Sequence, residues 1–79
     1  MKKSVWQEKY KKLSSELRAI RTAAGYTQVQ LAEKLDKPQS YVSKYESGER
    51  NLDFLEVLAV CEACQTEPSE LIKRLGSFL

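Results

Sequence analysis

Histidine is absent from this chain of 79 residues, which also holds only two cysteines, three glycines and two prolines. Without histidine the commonest general base and metal ligand is missing. A zinc site takes about four ligands, and Cys61 and Cys64 have neither a histidine nor a second cysteine pair to complete a set. There is no glycine-rich phosphate loop, and neither cysteine has an evident base partner, so no catalysis, metal or cofactor is expected. Both cysteines fall inside the apolar-periodic run FLEVLAVCEAC, where they can point inward as small hydrophobes.

Long apolar runs are missing as well. None approaches the roughly 18 residues a membrane helix needs. The opening MKKSVWQEKYKK is followed by charge rather than by an apolar signal core, so the chain reads as cytoplasmic with no membrane partner. What is present is a hydrophobic fraction of 42% with 30% charge. That balance excludes a disordered tail and allows one domain with one modest core.

Net charge is only +2, but it is unevenly spread. Residues 1–21 carry seven Lys or Arg against two Glu, residues 22–51 four against four, and residues 52–79 two against five. The basic N-terminal arm suits nucleic acid or an acidic partner, or else forms a solvated helix face.

Periodicity divides the chain into five helices. Trp6, Tyr10, Leu13, Leu17, Ile20 and Ala24 alternate spacings of four and three, one stripe on a long helix that stops at Gly25. Thr27 and Gln30 form a capping box that opens a second helix, with Leu31, Ala32 and Leu35 inward. Pro38, welcome in a first turn but not in a helix interior, starts a third helix that runs to about Glu46 with Val42 and Tyr45 inward. After the turn Glu46-Ser47-Gly48-Glu49, a second capping box at Asp53 and Glu56 opens a fourth helix through Ala63. Pro68, preceded by Thr66 or Glu67 as cap, starts a fifth helix carrying Leu71, Ile72 and Leu75. The fold class is all-α, without strand pattern or internal repeat.

Only Asp36-Lys37-Pro38 separates the second helix from the third, so the two must cross steeply, with Ala32 as the small residue that permits close approach. The outward residues of the third helix are Gln39, Ser40, Tyr41, Ser43 and Lys44, all hydrogen-bonding and only one charged. This set equips a helix to read base edges. Gln pairs with adenine, Ser contacts base or phosphate, Tyr packs on a thymine methyl, and Lys reaches guanine or phosphate.

Residues 13–75 resemble the lambda-repressor-like helix-turn-helix family, the Cro or XRE type. The resemblance rests on Leu17, Ile20, Arg21 and Gly25, on T-Q-x-x-L-A-x-x-L at Thr27 to Leu35, on Q-S-Y-V-S-K-Y-E-S-G at Gln39 to Gly48, and on the L-x-V-x-x-x-C run, Leu55 to Cys61, of the fourth helix. It implies a five-helix DNA-binding domain; the basic segment 1–12 extends the first helix beyond the family's usual length, which the resemblance does not explain, and an apolar tail, 76–79, follows the last helix. It also implies a dimeric transcription regulator. By the same resemblance Gln39, Ser40, Tyr41 and Lys44 face the major groove of double-stranded DNA. Gln28 contacts a phosphate and braces Gln39, while Ser43, Arg50 and Asn51 approach the backbone, and Arg21 pairs with Glu46. The chain departs from the family at Asp36, where Gly is frequent, at Lys37 in place of an apolar residue, and at Pro38 in place of a Ser cap. Aspartate tolerates a left-handed backbone, so the turn is expected to survive.

One recognition helix reads too few base pairs for selectivity in a genome, which favours a homodimer. Leu71, Ile72, Leu75, Phe78 and Leu79 supply more apolar surface than a last helix needs and form the expected interface. Trp6 and Tyr10 are left over once the first helix has reached the core. A protein-interaction module or antitoxin component on the same fold is the rival reading, because the middle of the chain is neutral. Repressor, restriction-modification controller and phage regulator all stay open, and no small-molecule ligand is expected.

Overall fold

The computed structural model describes residues 5–76. Its helices are α1 (Val5–Ala23), α2 (Gln28–Lys34), α3 (Gln39–Ser47), α4 (Phe54–Ala63) and α5 (Pro68–Gly76), with no strand among the described residues. Part of the basic extension, residues 1–4, and Phe78 and Leu79 of the apolar tail lie outside the described residues.

Each boundary has a local cause. Gly25, at φ +83°, turns the chain out of α1 while Tyr26 N–H donates back to the Arg21 carbonyl at 3.2 Å. A Cβ there would meet nothing within 4 Å, so glycine serves the backbone angle and not a close approach. Thr27 and Gln30 close both arms of the capping box, at 3.1 and 2.9 Å. Asp36 takes the left-handed conformation, φ 58°, and Lys37 N–H then reaches the Ala32 carbonyl at 2.9 Å. Pro38 differs from the sequence reading. It stands outside the first turn as the N-cap of α3, extended at φ −71° and ψ 157°, with no side chain to cap the helix. Its ring fixes a φ common to both roles, and the preceding corner decides between them. The second capping box joins Asp53 and Glu56 at 2.8 and 2.9 Å. Thr66, a candidate cap for α5, instead turns its hydroxyl back to the Cys64 carbonyl at 3.5 Å.

The core draws on every helix: Leu17 and Ile20 from α1, Leu31 and Ala32 from α2, Val42 and Tyr45 from α3, Val60 and Cys61 from α4, and Leu71 from α5. Leu52 and Cys64 complete it from the connections. Each fully buried aliphatic side chain contributes about 1.5–3 kcal/mol, so α3, with only two inward residues, depends on its neighbours. Burial pushes both thiols upward, consistent with cysteines that serve as packing. Leu71 is 3% exposed, which corrects its assignment to a dimer face: it is committed to the core. The stripe of α1 reaches the core from Leu13 onward, leaving Trp6 66% exposed.

Polar contacts clamp the layers. Arg21 Nε and Nη2 donate to Glu46 Oε2 and Oε1 at 2.7 and 3.0 Å, and Nη1 donates to the Tyr26 carbonyl at 2.8 Å. One guanidinium thereby holds the end of α1, the approach to α2 and the end of α3. At the other side Arg74 reaches Glu16 at 3.1 Å, tying α5 to α1 and holding that carboxyl below its usual range. This second bridge is largely exposed and is worth at most about 1 kcal/mol. The first is not, because the Arg21 and Glu46 side chains are only 10% and 3% exposed.

Glu46→Ala strands Arg21 away from water and is expected to cost about 3 kcal/mol or more. At about 4–8 °C per kcal/mol for so small a domain, Tm falls by more than 10 °C. The exposed Glu49→Ala changes stability by less than about 0.5 kcal/mol. Thermal melts of the two variants check this, and equal effects would refute the clamp.

Candidate nucleic-acid interface

The tight corner leaves one face of α3 bare. Gln39, Ser40 and Lys44 are exposed along it, with Ser43 half-buried at its margin. Gln28, first in α2, sits beside the start of α3 because the helices cross there. Its Nε2 donates to Glu46 Oε1 at 3.0 Å, and its Oε1 accepts from Gln39 Nε2 at 2.7 Å. A continuous hydrogen-bonded chain therefore runs from the buried Arg21–Glu46 pair to the exposed tip of α3.

Tyr41 departs from the outward set. Its ring packs edge-on against Tyr45, with centroids 5.7 Å apart at 81°, and its hydroxyl donates to Glu56 Oε2 at 3.0 Å. Arg50 and Lys37 lie over the ring at 5.0 and 5.3 Å. The sequence reading that turned Tyr41 freely to the groove is corrected. An aromatic beside the core gains more from burying its ring than from exposing it, and Glu56 takes its polar tip. Arg50, expected at the DNA backbone, donates to the same Glu56 oxygen at 2.7 Å. Glu56 is held below the usual carboxylate range, first by the Asp53 backbone N–H of its capping box and then by Arg50. Asn51 is exposed, and it lines a groove of about 430 Å³ with Ser47 and Gly48 on one side and Gln7, Tyr10 and Lys11 of α1 on the other.

Sequence reasoning missed Phe54 and Leu55, 70% and 73% exposed in the first turn of α4. Phe54 stands in phase with Val57, Cys61 and Cys64 and so reads as core, but this turn lies where no neighbour covers it. On α5, Ile72 is 56% exposed while Leu75 packs partly against the core. Among the described residues no group of three His, Cys, Asp or Glu converges to hold a metal ion. Nor is any helix there long and apolar enough to cross a membrane.

Burial, then the Glu56 hydrogen bond, pushes the Tyr41 hydroxyl up to about 12, and burial raises Tyr45 too. A tyrosine whose folded value lies above its unfolded value near 10 binds its proton more tightly when folded. Its contribution to stability is therefore complete below pH about 10 and fades as pH climbs toward about 12. Melting curves across that range should show wild-type Tm falling more steeply than that of Tyr41→Phe. Parallel slopes would mean that Tyr41 is no better buried than a surface tyrosine.

Comparison with known proteins agrees with this geometry. A helix-turn-helix family model matches residues 17–71. An XRE-family like protein from Pseudomonas syringae pv. tomato str. DC3000 is 41% identical, aligns over 89% of this chain and 85% of its own, and superposes with a TM-score of 0.82. The clp gene regulator ClgR from C. glutamicum is 28% identical over 90% of this chain and 92% of its own, with a TM-score of 0.77. No curated protein matches the chain. A family match over most of the length, on a five-helix fold with the polar α3 laid bare, identifies the chain as a member of the lambda-repressor-like, XRE-type helix-turn-helix family of DNA-binding transcription regulators.

Proposed function

We propose that the protein is a cytoplasmic, homodimeric repressor that reads a palindromic operator by inserting α3 into the major groove. The observation that carries this reading is the bare polar face of α3, whose tip residue Gln39 is braced by Gln28 at 2.7 Å rather than left mobile. A pre-oriented amide loses less freedom on meeting a base edge than a free one. Gln39, Ser40 and Lys44 read bases, while Tyr41 presents only its partly exposed edge. Gln28, Ser43 and Asn51 contact the backbone. Arg50 joins them by exchanging Glu56 for a phosphate. No catalysis is assigned to the domain.

A twofold interface uses Ile72 and the exposed edge of Leu75, and Phe54 and Leu55 add apolar surface of the kind a second copy covers. Such a dimer holds two recognition helices about 34 Å apart, one turn of DNA. A second reading, an interaction module or antitoxin component on this fold, is favoured by the pairing of Arg50 with Glu56, which occupies a cation that DNA binding would use.

Selection of bound duplexes from a random library tests operator, half-site spacing and binding together. A palindrome and a steep fall of affinity with salt are expected, whereas a salt-independent signal or none favours the interaction module. Gln39→Ala should cost about 1–3 kcal/mol on the selected site and relax one base pair, while Gln28→Ala, which removes a backbone contact as well as the brace on Gln39, should also weaken binding to all sequences. Sedimentation at micromolar concentration checks the assembly: wild type should run as a dimer and Ile72→Glu as a monomer. A wild type that stays monomeric both free and on its operator would overturn the twofold reading.

A further inference from the structure

We propose that Glu46, on the inward side of the last turn of α3 and away from the groove, is a specificity-determining positioning residue: through Gln28 it fixes which way the Gln39 amide faces the groove. The inference rests on Gln39 reading a base and adds what decides the base it prefers.

The argument is one of donor and acceptor bookkeeping along three side chains. A carboxylate only accepts hydrogen bonds, and the Glu46 side chain, 3% exposed, is paired through both oxygens with the Arg21 guanidinium. Whatever meets it must donate. Gln28 therefore has to turn Nε2 toward Glu46 Oε1, at 3.0 Å, and its carbonyl oxygen away. That oxygen in turn can only accept, so Gln39 has to bring Nε2 to it, at 2.7 Å. An amide that would otherwise rotate freely between two orientations has one. Gln39 is left with its carbonyl oxygen and one N–H for the groove.

An acceptor beside a donor matches the major-groove edge of adenine, which offers the N6 amino group and N7. Guanine offers only acceptors, O6 and N7, and sets O6 against the Gln39 oxygen. The relay thus selects adenine over guanine at the pair beneath Gln39. Reversing it requires a donor where Glu46 stands. In Glu46→Gln the oxygen still accepts from Arg21 Nε, and the amide nitrogen, standing where Oε1 accepted from both Arg21 Nη2 and Gln28, donates to Gln28 at the cost of the Nη2 bond, so that Gln28 turns over and turns Gln39 with it. The N–H groups of Gln39 then lead, as guanine prefers.

The test measures the relative affinity of operators carrying each base at that pair, for wild type, Glu46→Gln, Gln28→Met and Gln39→Ala, with melting curves beside them. Wild type should prefer adenine to guanine by about tenfold or more. The ratio should fall at least about tenfold in Glu46→Gln and collapse toward unity in Gln28→Met, with preferences at other pairs unchanged. Gln28→Met leaves the Arg21–Glu46 pair intact, so it carries the test if Glu46→Gln folds poorly. A merely structural Glu46 would lower Tm and affinity evenly and leave the base ratio untouched, which would overturn the proposal, as would a wild type that prefers guanine. Gln39→Ala that alters no base preference would instead remove the base-reading role on which the proposal rests.

Discussion

The pairing of Arg21 with Glu46 is the constraint on which the rest of the molecule depends. Two charges are withdrawn from water, and their mutual attraction only about offsets that cost. The pair is thus a poor source of net stability and a strong source of definition, because every alternative arrangement leaves a stranded ion. Arg21 saturates this role with two bonds to Glu46 and one to the Tyr26 carbonyl. The end of α1, the entry to α2 and the end of α3 cannot move independently. Glu46 Oε1 still has a lone pair to offer, and Gln28 takes it, so the definition imposed in the interior reaches the surface.

Short helices need such definition. α2 has seven residues and α3 nine, below the roughly 12 at which an isolated helix holds in water. They persist because Leu31, Ala32, Val42 and Tyr45 are buried and because the corner between them is closed by a left-handed Asp36. Aspartate bears that angle at some cost that glycine would avoid. Pro38 then offers no cap to α3, so the start of that helix is held chiefly by packing and by the Gln28–Gln39 contact.

Much of this was legible in the sequence, for reasons that differ by residue. Capping boxes at Thr27 and Asp53 are local, with both partners within four residues, and such signals survive folding unchanged. Apolar periodicity fixed the inward faces of α1 to α3, again a local property. Tyr41 was misjudged because its position on α3 gives only a direction, while its fate is decided by Glu56, fifteen residues on and on another helix. Leu71, assigned to a dimer face, and Phe54, given no role, went unread for one reason. Phase says which side of a helix a residue occupies, but not whether a neighbour covers that side. Leu71 is covered and Phe54 is not.

The same logic bears on the neutral middle of the chain, which looked like an argument against binding a polyanion. Charge counted along the sequence treats Arg50 as cancelled by an acid of the same stretch, whereas in the structure it contacts one outside it, Glu56, at 2.7 Å. But the Arg50 side chain is 45% exposed, and an ion pair so open to water is weakened by solvent screening. A phosphate with its full charge and several oxygens can displace it at little cost, and Glu56 would keep its bonds from Asp53 N–H and the Tyr41 hydroxyl. Until then the contact holds Arg50 extended over the Tyr41 ring, limiting the freedom a long side chain would lose on binding. Neutrality in the count is therefore compatible with a surface ready for an anion, because the acid that Arg50 contacts, Glu56, lies outside that stretch and orders the arginine without burying it.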